Sequence, residues 1–176
     1  KLGTFQDWRP WESCICLTDS WSYSATEPKS LDKLIRMVVS NACGDGNLLL
    51  SWGPHWSGEF DEGETRRLKE LGDWLSRNGT AIYDTRGGPW KPNNWGGSVY
   101  RDSTVYLHIT ELSGEVLELP LLPQRSILTA KLLNGPDLSF ETDEQVLRLI
   151  LPETIRAEED TIIELTVDKP VEGIEA

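Results

Sequence analysis

The residues of this chain with chemical options are few and unevenly placed. It carries three cysteines, two histidines and eight tryptophans among 176 residues. Cys14 and Cys16 are two apart, so on a strand both thiols share one face. A structural metal site takes about four ligands, and only Cys43 and His55 stand as further candidates. The cysteines therefore read as small buried hydrophobes rather than metal ligands, and an odd count leaves one over from any disulfide framework. Gly44-x-Gly46 is not followed by the Lys-Ser/Thr of a phosphate loop. No Ser-His-Asp arrangement and no metal motif is visible, so neither cofactor nor metal is expected. His108 alternates within its run and reads as an ordinary strand residue.

The tryptophans are more informative. Trp8, Trp11, Trp21, Trp52, Trp56, Trp74, Trp90 and Trp95 all precede the last third of the chain. Indole rings are rigid apolar platforms with one donor, suited to cores, interfaces and stacking on ligands. Charge runs the other way, with Glu141, Asp143, Glu144, Glu153, Glu158, Glu159, Asp160 and Glu164 in the last third. In total 29 acidic against 17 basic residues give a net charge of -12. That balance disfavours a nucleic-acid binder, whose affinity comes from Lys and Arg on phosphates, and an electrostatic anchor on an anionic membrane. No window approaches the roughly 20 apolar residues of a membrane span, and the first ten residues carry no signal-peptide pattern.

Two kinds of element must position these residues. Ser30 reads as an N-cap, followed by Leu31, Leu34, Ile35, Val38 and Ala42 at helical spacing, with Gly44-Asp45-Gly46 as the stop. Residues 47–52 form an apolar run, as in a strand buried on both faces of a parallel sheet. Asp61 and Glu64 resemble a capping box. They open a helix with Leu68, Leu71, Trp74 and Leu75 inward, and Asn78-Gly79 predicts a left-handed cap. Strand, helix, strand, helix implies a parallel α/β unit. Beyond Gly88 the pattern changes to short β-like runs at 104–109, 116–119, 127–133, 146–151 and 161–167, which suggest an antiparallel sandwich. The expected fold class is thus α/β followed by all-β, with the division at residues 1–92 and 93–176. A parallel unit this small cannot close a barrel, so it reads as the tail of a larger domain.

The ordered segments Trp11-Glu12-Ser13-Cys14, Asp19-Ser20-Trp21-Ser22-Tyr23, Gly46-Asn47-Leu48-Leu49-Leu50-Ser51-Trp52-Gly53-Pro54, Gly58-Glu59-Phe60, Gly72-Asp73-Trp74-Leu75 and Asn78-Gly79 through Ala81-Ile82-Tyr83 carry a family pattern. They resemble the C-terminal part of the α-L-fucosidases of glycoside hydrolase family 29 over about the first 90 residues. The resemblance implies the last part of a (β/α)8-like barrel followed by a C-terminal β-sandwich. It also implies a retaining mechanism with two carboxyl groups about 5–5.5 Å apart, on a terminal α-L-fucoside of a glycan.

The family's nucleophilic aspartate lies before the Trp-Glu segment and would belong to a missing N-terminal part of the barrel, so the chain alone is expected to be inactive. Glu12 matches the family's proposed acid/base, with Trp11 beside it to raise its pKa by desolvation; the competing reading is a structural glutamate paired with Arg9. Trp21, Trp52, His55 and Trp56 are expected to line the sugar subsite with Trp11, because strand ends face the active site. Trp74 reads as core, and Trp90 and Trp95 as packing of the junction. Family habit implies a secreted or periplasmic compartment. Ser22, Ser51 and Trp52 depart from the usual Gly, Asn and Val. Two other classes therefore stay open: a carbohydrate-binding or structural module, and a family member that binds sugars without cleaving them.

Overall fold

The computed structural model describes residues 3–174. Two helices and two parallel strands form one layer system, and eight further strands form two antiparallel sheets. Strands β1 (Glu12–Cys16) and β2 (Asn47–Ser51) pair in parallel, Glu12 opposite Asn47 and Cys16 opposite Ser51. Helix α1 (Leu31–Cys43) connects them, and helix α2 (Glu62–Asn78) follows β2. The Ser30 hydroxyl accepts from the Lys33 amide at 3.3 Å, as a helix cap should. Leu34, Ile35, Val39, Leu71 and Trp74 form the buried seam between the helices, with Ile15, Leu48 and Leu50 of the strands packed on it.

Strands β3 (Arg86–Gly87), β4 (Gly96–Arg101), β5 (Thr104–Ile109), β10 (Thr161–Val167) and β7 (Ile127–Leu132) build one sheet in that spatial order. Strands β6 (Val116–Pro120), β9 (Val146–Ile150) and β8 (Phe140–Thr142) build the other. Val105, Leu107, Ile109, Ile163 and Leu165 meet Leu117, Leu119, Leu147 and Leu149 between the two sheets. The Trp90 indole crosses this core and donates to the Pro120 carbonyl at 2.9 Å. The five-stranded sheet is covered on its other face as well: Val99, Tyr106 and Ile162 pack with α1 and α2. At the edge, the Arg86 guanidinium grips Asp45 through two bonds of 2.8 and 2.7 Å, and the Gly87 amide donates to the same carboxylate.

Several sequence expectations need correction. β2 is not buried on both faces: Leu49 is 48% exposed, because only one side of the two-stranded sheet carries helices. Asp61 starts α2 but makes no capping bond with its side chain. Gly79 is right-handed and leads into a 3-10 turn over Gly79–Ala81. Glycine is needed there because a Cβ would lie 2.8 Å from the Tyr83 ring. Of the cysteines only Cys43 is buried; Cys14 is exposed, since it shares the uncovered face with Leu49.

Candidate functional site

The parallel register fixes where chemistry can be assembled. Glu12 and Asn47 mark the N-terminal ends of the strands, and Cys16 and Ser51 the C-terminal ends. The ladder continues one step beyond, with the Leu17 amide donating to the Ser51 carbonyl at 2.7 Å. The segments leaving the two strands are then forced together at Gly53, where a Cβ would sit 2.5 Å from the Ser22 and Tyr23 backbone. Only glycine permits that approach. Lys29 fastens the first segment, donating to the Thr18 carbonyl and to Asp19.

This approach gathers a set of rings. Tyr23 meets His55 edge-on at 4.9 Å and Trp56 edge-on at 6.0 Å. His55 lies over Trp56 with centroids 3.5 Å apart. Trp52 packs on Phe60 at 5.6 Å. A tight turn holds the histidine: its amide donates to the Glu59 carbonyl, its Nδ1 is 2.9 Å from the Ser57 hydroxyl, and that hydroxyl donates to the Glu59 carboxylate. The Tyr23 hydroxyl is held above its ordinary pKa, first by burial, then by Asp61, which accepts its hydrogen bond, and by Glu64. Despite these contacts, Trp56 is 86% exposed and Trp21, on the same connecting segment as Tyr23, is 70% exposed. Large exposed aromatic surface at the mouth of parallel strands is unusual for a packing role and suited to a ligand.

The structure thus brings Trp52, His55 and Trp56 to one end of the parallel strands and leaves Trp21 free beside them, making none of these ring contacts. It does not bring Trp11 or Glu12 there. Trp11 is a packing residue: a Cβ on Gly46 would lie 2.3 Å from its ring, and its Nε1 donates to the Gln6 carbonyl at 3.0 Å. Glu12 is exposed at the opposite end of β1. Four residue steps at ~3.3 Å each put ~13 Å between it and the strand end that bears the rings. Tyr23, Phe60 and Asp61 also join this group of contacts, and periodicity alone does not single them out. The signals available for Tyr23 and Phe60 are the Trp21-Ser22-Tyr23 and Gly58-Glu59-Phe60 motifs.

A separate cleft of about 700 Å³ opens between α1, β2 and α2, its lining mixed: Leu48, Leu50, Leu71 and Leu75 on one side, Asp45, Asp84 and Arg86 on the other. It lies on the helix side of β2, away from the rings. Among the described residues no group of three or more His, Cys, Asp or Glu side chains could hold a metal ion.

Comparison with known proteins returns α-L-fucosidases. The α-L-fucosidase domain family matches residues 3–80. The chain is 32% identical to an α-L-fucosidase of Dictyostelium discoideum over 112 residues, which are 58% of this chain and 24% of that protein. It is 29% identical to the human tissue α-L-fucosidase over 160 residues, 81% of this chain and 33% of that protein. The structure of α-L-fucosidase isoenzyme 1 from Paenibacillus thiaminolyticus superposes with a TM-score of 0.81 at 28% identity, covering 91% of this chain and 40% of that one. The chain spans about a quarter to a third of the length of these curated relatives. The family match and the superposition agree: the first part of the chain is similar to the α-L-fucosidases, and the structure shares the fold of a part of them.

Proposed function

We propose that this chain is part of a retaining α-L-fucosidase releasing terminal α-L-fucose from glycans. The observation that carries the reading is the aromatic wall at the C-terminal ends of β1 and β2, the end at which a (β/α)8-like barrel builds its active site. In this reading residues 1–92 are the closing part of the barrel and residues 93–176 the C-terminal sandwich. Trp52, His55 and Trp56 form the floor and wall of the sugar site, Tyr23 props them, and Trp21 flanks the entrance. Sugar C–H faces stack on such rings.

A barrel reading also accounts for surfaces that are otherwise costly. Neither outer edge of the two-stranded sheet is paired among the described residues, and Leu49 and Cys14 are uncovered. Each is what a preceding set of strands and helices of the same barrel would cover. The nucleophile belongs to that preceding part. Glu12 stands apart from the rings by ~13 Å along the strand, whereas a general acid must sit within hydrogen-bond reach of the glycosidic oxygen. We therefore place the acid/base outside this chain as well and give Glu12 no catalytic role. A secreted or periplasmic compartment is part of the same proposal and rests on family habit.

The test is an assay with an aryl α-L-fucoside. The isolated chain is expected to show no turnover, and co-expression with the preceding part of the barrel to supply it. Turnover by the isolated chain would overturn the assignment of both carboxyls to the preceding part.

A further inference from the structure

His108 is the one histidine of the chain outside the aromatic site. Its position on β5 was expected to be unremarkable; it is instead 0% exposed and makes two bonds between layers. Nδ1 lies 2.7 Å from Asp160 Oδ2, in the segment leading into β10, and Nε2 lies 3.0 Å from the Ala81 carbonyl oxygen, in the turn after α2. The ring therefore joins the helix layer to the five-stranded sheet at the face where Tyr106 and Ile162 also pack on the helices.

The two contacts have a proton count. A carbonyl oxygen only accepts, and a carboxylate only accepts, so both bonds together require two protons on the pair's nitrogens. A neutral imidazole has one. With one proton, either the Nδ1 lone pair faces the carboxylate or the Nε2 lone pair faces the carbonyl. Both are repulsive, and the first also leaves a buried anion uncompensated. We propose that His108 is buried as an imidazolium neutralised by Asp160, and that the pair is a pH-sensitive staple between the helix layer and the sheet, closed when protonated and loosened when the proton leaves.

The surroundings make the staple responsive. Cys43 of α1 is a titratable group beside Asp160, and burial and then the Asp160 charge push its thiol well above the ordinary range, so it stays neutral. The neighbours across the ladders, Gly97 on β4 and Ile162 on β10, carry no charge. Asp160 Oδ1 is buried without a hydrogen-bond partner among the described residues, so no bond at that oxygen compensates the carboxylate when the imidazolium is lost. The His108 pKa is raised overall: burial opposes the charge, and Asp160 and the Ala81 carbonyl outweigh burial.

The sign follows from linkage. A group whose folded pKa exceeds its unfolded value contributes stability below the unfolded pKa, near 6.5 for histidine, and loses it as pH rises through the folded pKa. In that window the folded-to-unfolded ratio falls up to tenfold per pH unit. The experiment is thermal unfolding of the protein from pH 5 to 9, alongside His108→Gln and the paired replacement His108→Phe with Asp160→Leu. The wild type should lose stability toward high pH, and both variants should show a flatter profile. The paired replacement also removes the buried charge and keeps the site filled, so it tests the staple even where the single variant fails to fold. Parallel pH profiles for the wild type and the paired variant would overturn the proposal, as would a nuclear magnetic resonance titration showing His108 neutral at pH 6 in the folded protein.

Discussion

Trp56 separates a packing role from a ligand role more sharply than any other residue of the site. Its indole is 86% exposed, with His55 over it at 3.5 Å. Replacement by alanine therefore removes little buried surface, and the expected stability change is within about 0.5 kcal/mol, as for ordinary surface positions. A sugar laid on the ring would cover roughly 60–80 Å² of it, which at about 25 cal/mol per Å² is on the order of 1.5–2 kcal/mol. That corresponds to a roughly 10- to 30-fold loss of affinity. The assay compares KM for an aryl α-L-fucoside, or fucose affinity by calorimetry, with the melting temperature of the same variant in the full enzyme. Affinity should fall while the melting temperature holds. An unchanged affinity would remove Trp56 from the site, and a melting temperature lowered by many degrees with affinity intact would assign the ring to packing.

Other expectations follow from the same geometry. Glu12→Gln in the full enzyme should leave kcat within a few-fold of wild type, because the carboxyl sits at the wrong strand end; a drop of about 10²–10⁴, the usual contribution of a general acid, would restore it to the mechanism. Gly46→Ala should destabilise by about 1–3 kcal/mol through overpacking on the Trp11 ring at 2.3 Å, and chemical denaturation should show most of that loss relieved when Trp11 is also shortened to leucine. Leu107→Ala, at a fully buried position between the sheets, should cost about 2–5 kcal/mol by the same measurement. With a thiol reagent near pH 8, exposed Cys14 should label first, and Cys43, buried and held well above the ordinary thiol range by burial and Asp160, should label only on unfolding; labelling of folded Cys43 at the rate of Cys14 would contradict its placement.

Local signals carried much of the fold. Ser30 and the 3.6-residue stripe located α1 to the residue, because a cap and an amphipathic face are both local. Five β runs were visible since each is bounded by turn residues. β3, β4 and β8 were not: Arg86–Gly87 and Phe140–Thr142 are too short to alternate, and the Gly96-Gly97-Ser98 start of β4 lacks side chains to pattern. The apolar run of β2 does not mean burial on both faces, because helices cover one side of the two-stranded sheet and Leu49 on the other is 48% exposed. Within the site, Trp52, His55 and Trp56 followed from their place just past a strand. Glu12 was a matter of direction: a motif match names a residue, but only the parallel register shows which end of the strand it occupies. His108 escaped because its two partners, Asp160 and Ala81, are distant in sequence and no short-range pattern links them.

The central position of β10 has a consequence for how the molecule is made. It lies between β5 and β7 and contributes to packing on both faces of the sheet, yet it follows every other strand of the two sheets in sequence among the described residues. Neither core can close before Thr161–Val167 arrives. Until then β5 and β7 present two unsatisfied edges rich in apolar side chains, the form of surface that captures other chains. Assembly of this sheet therefore depends on inserting a strand distant in sequence between two earlier ones, a topology that slows folding. A nascent chain stalled or truncated before Thr161 would be an aggregation hazard rather than a smaller folded protein.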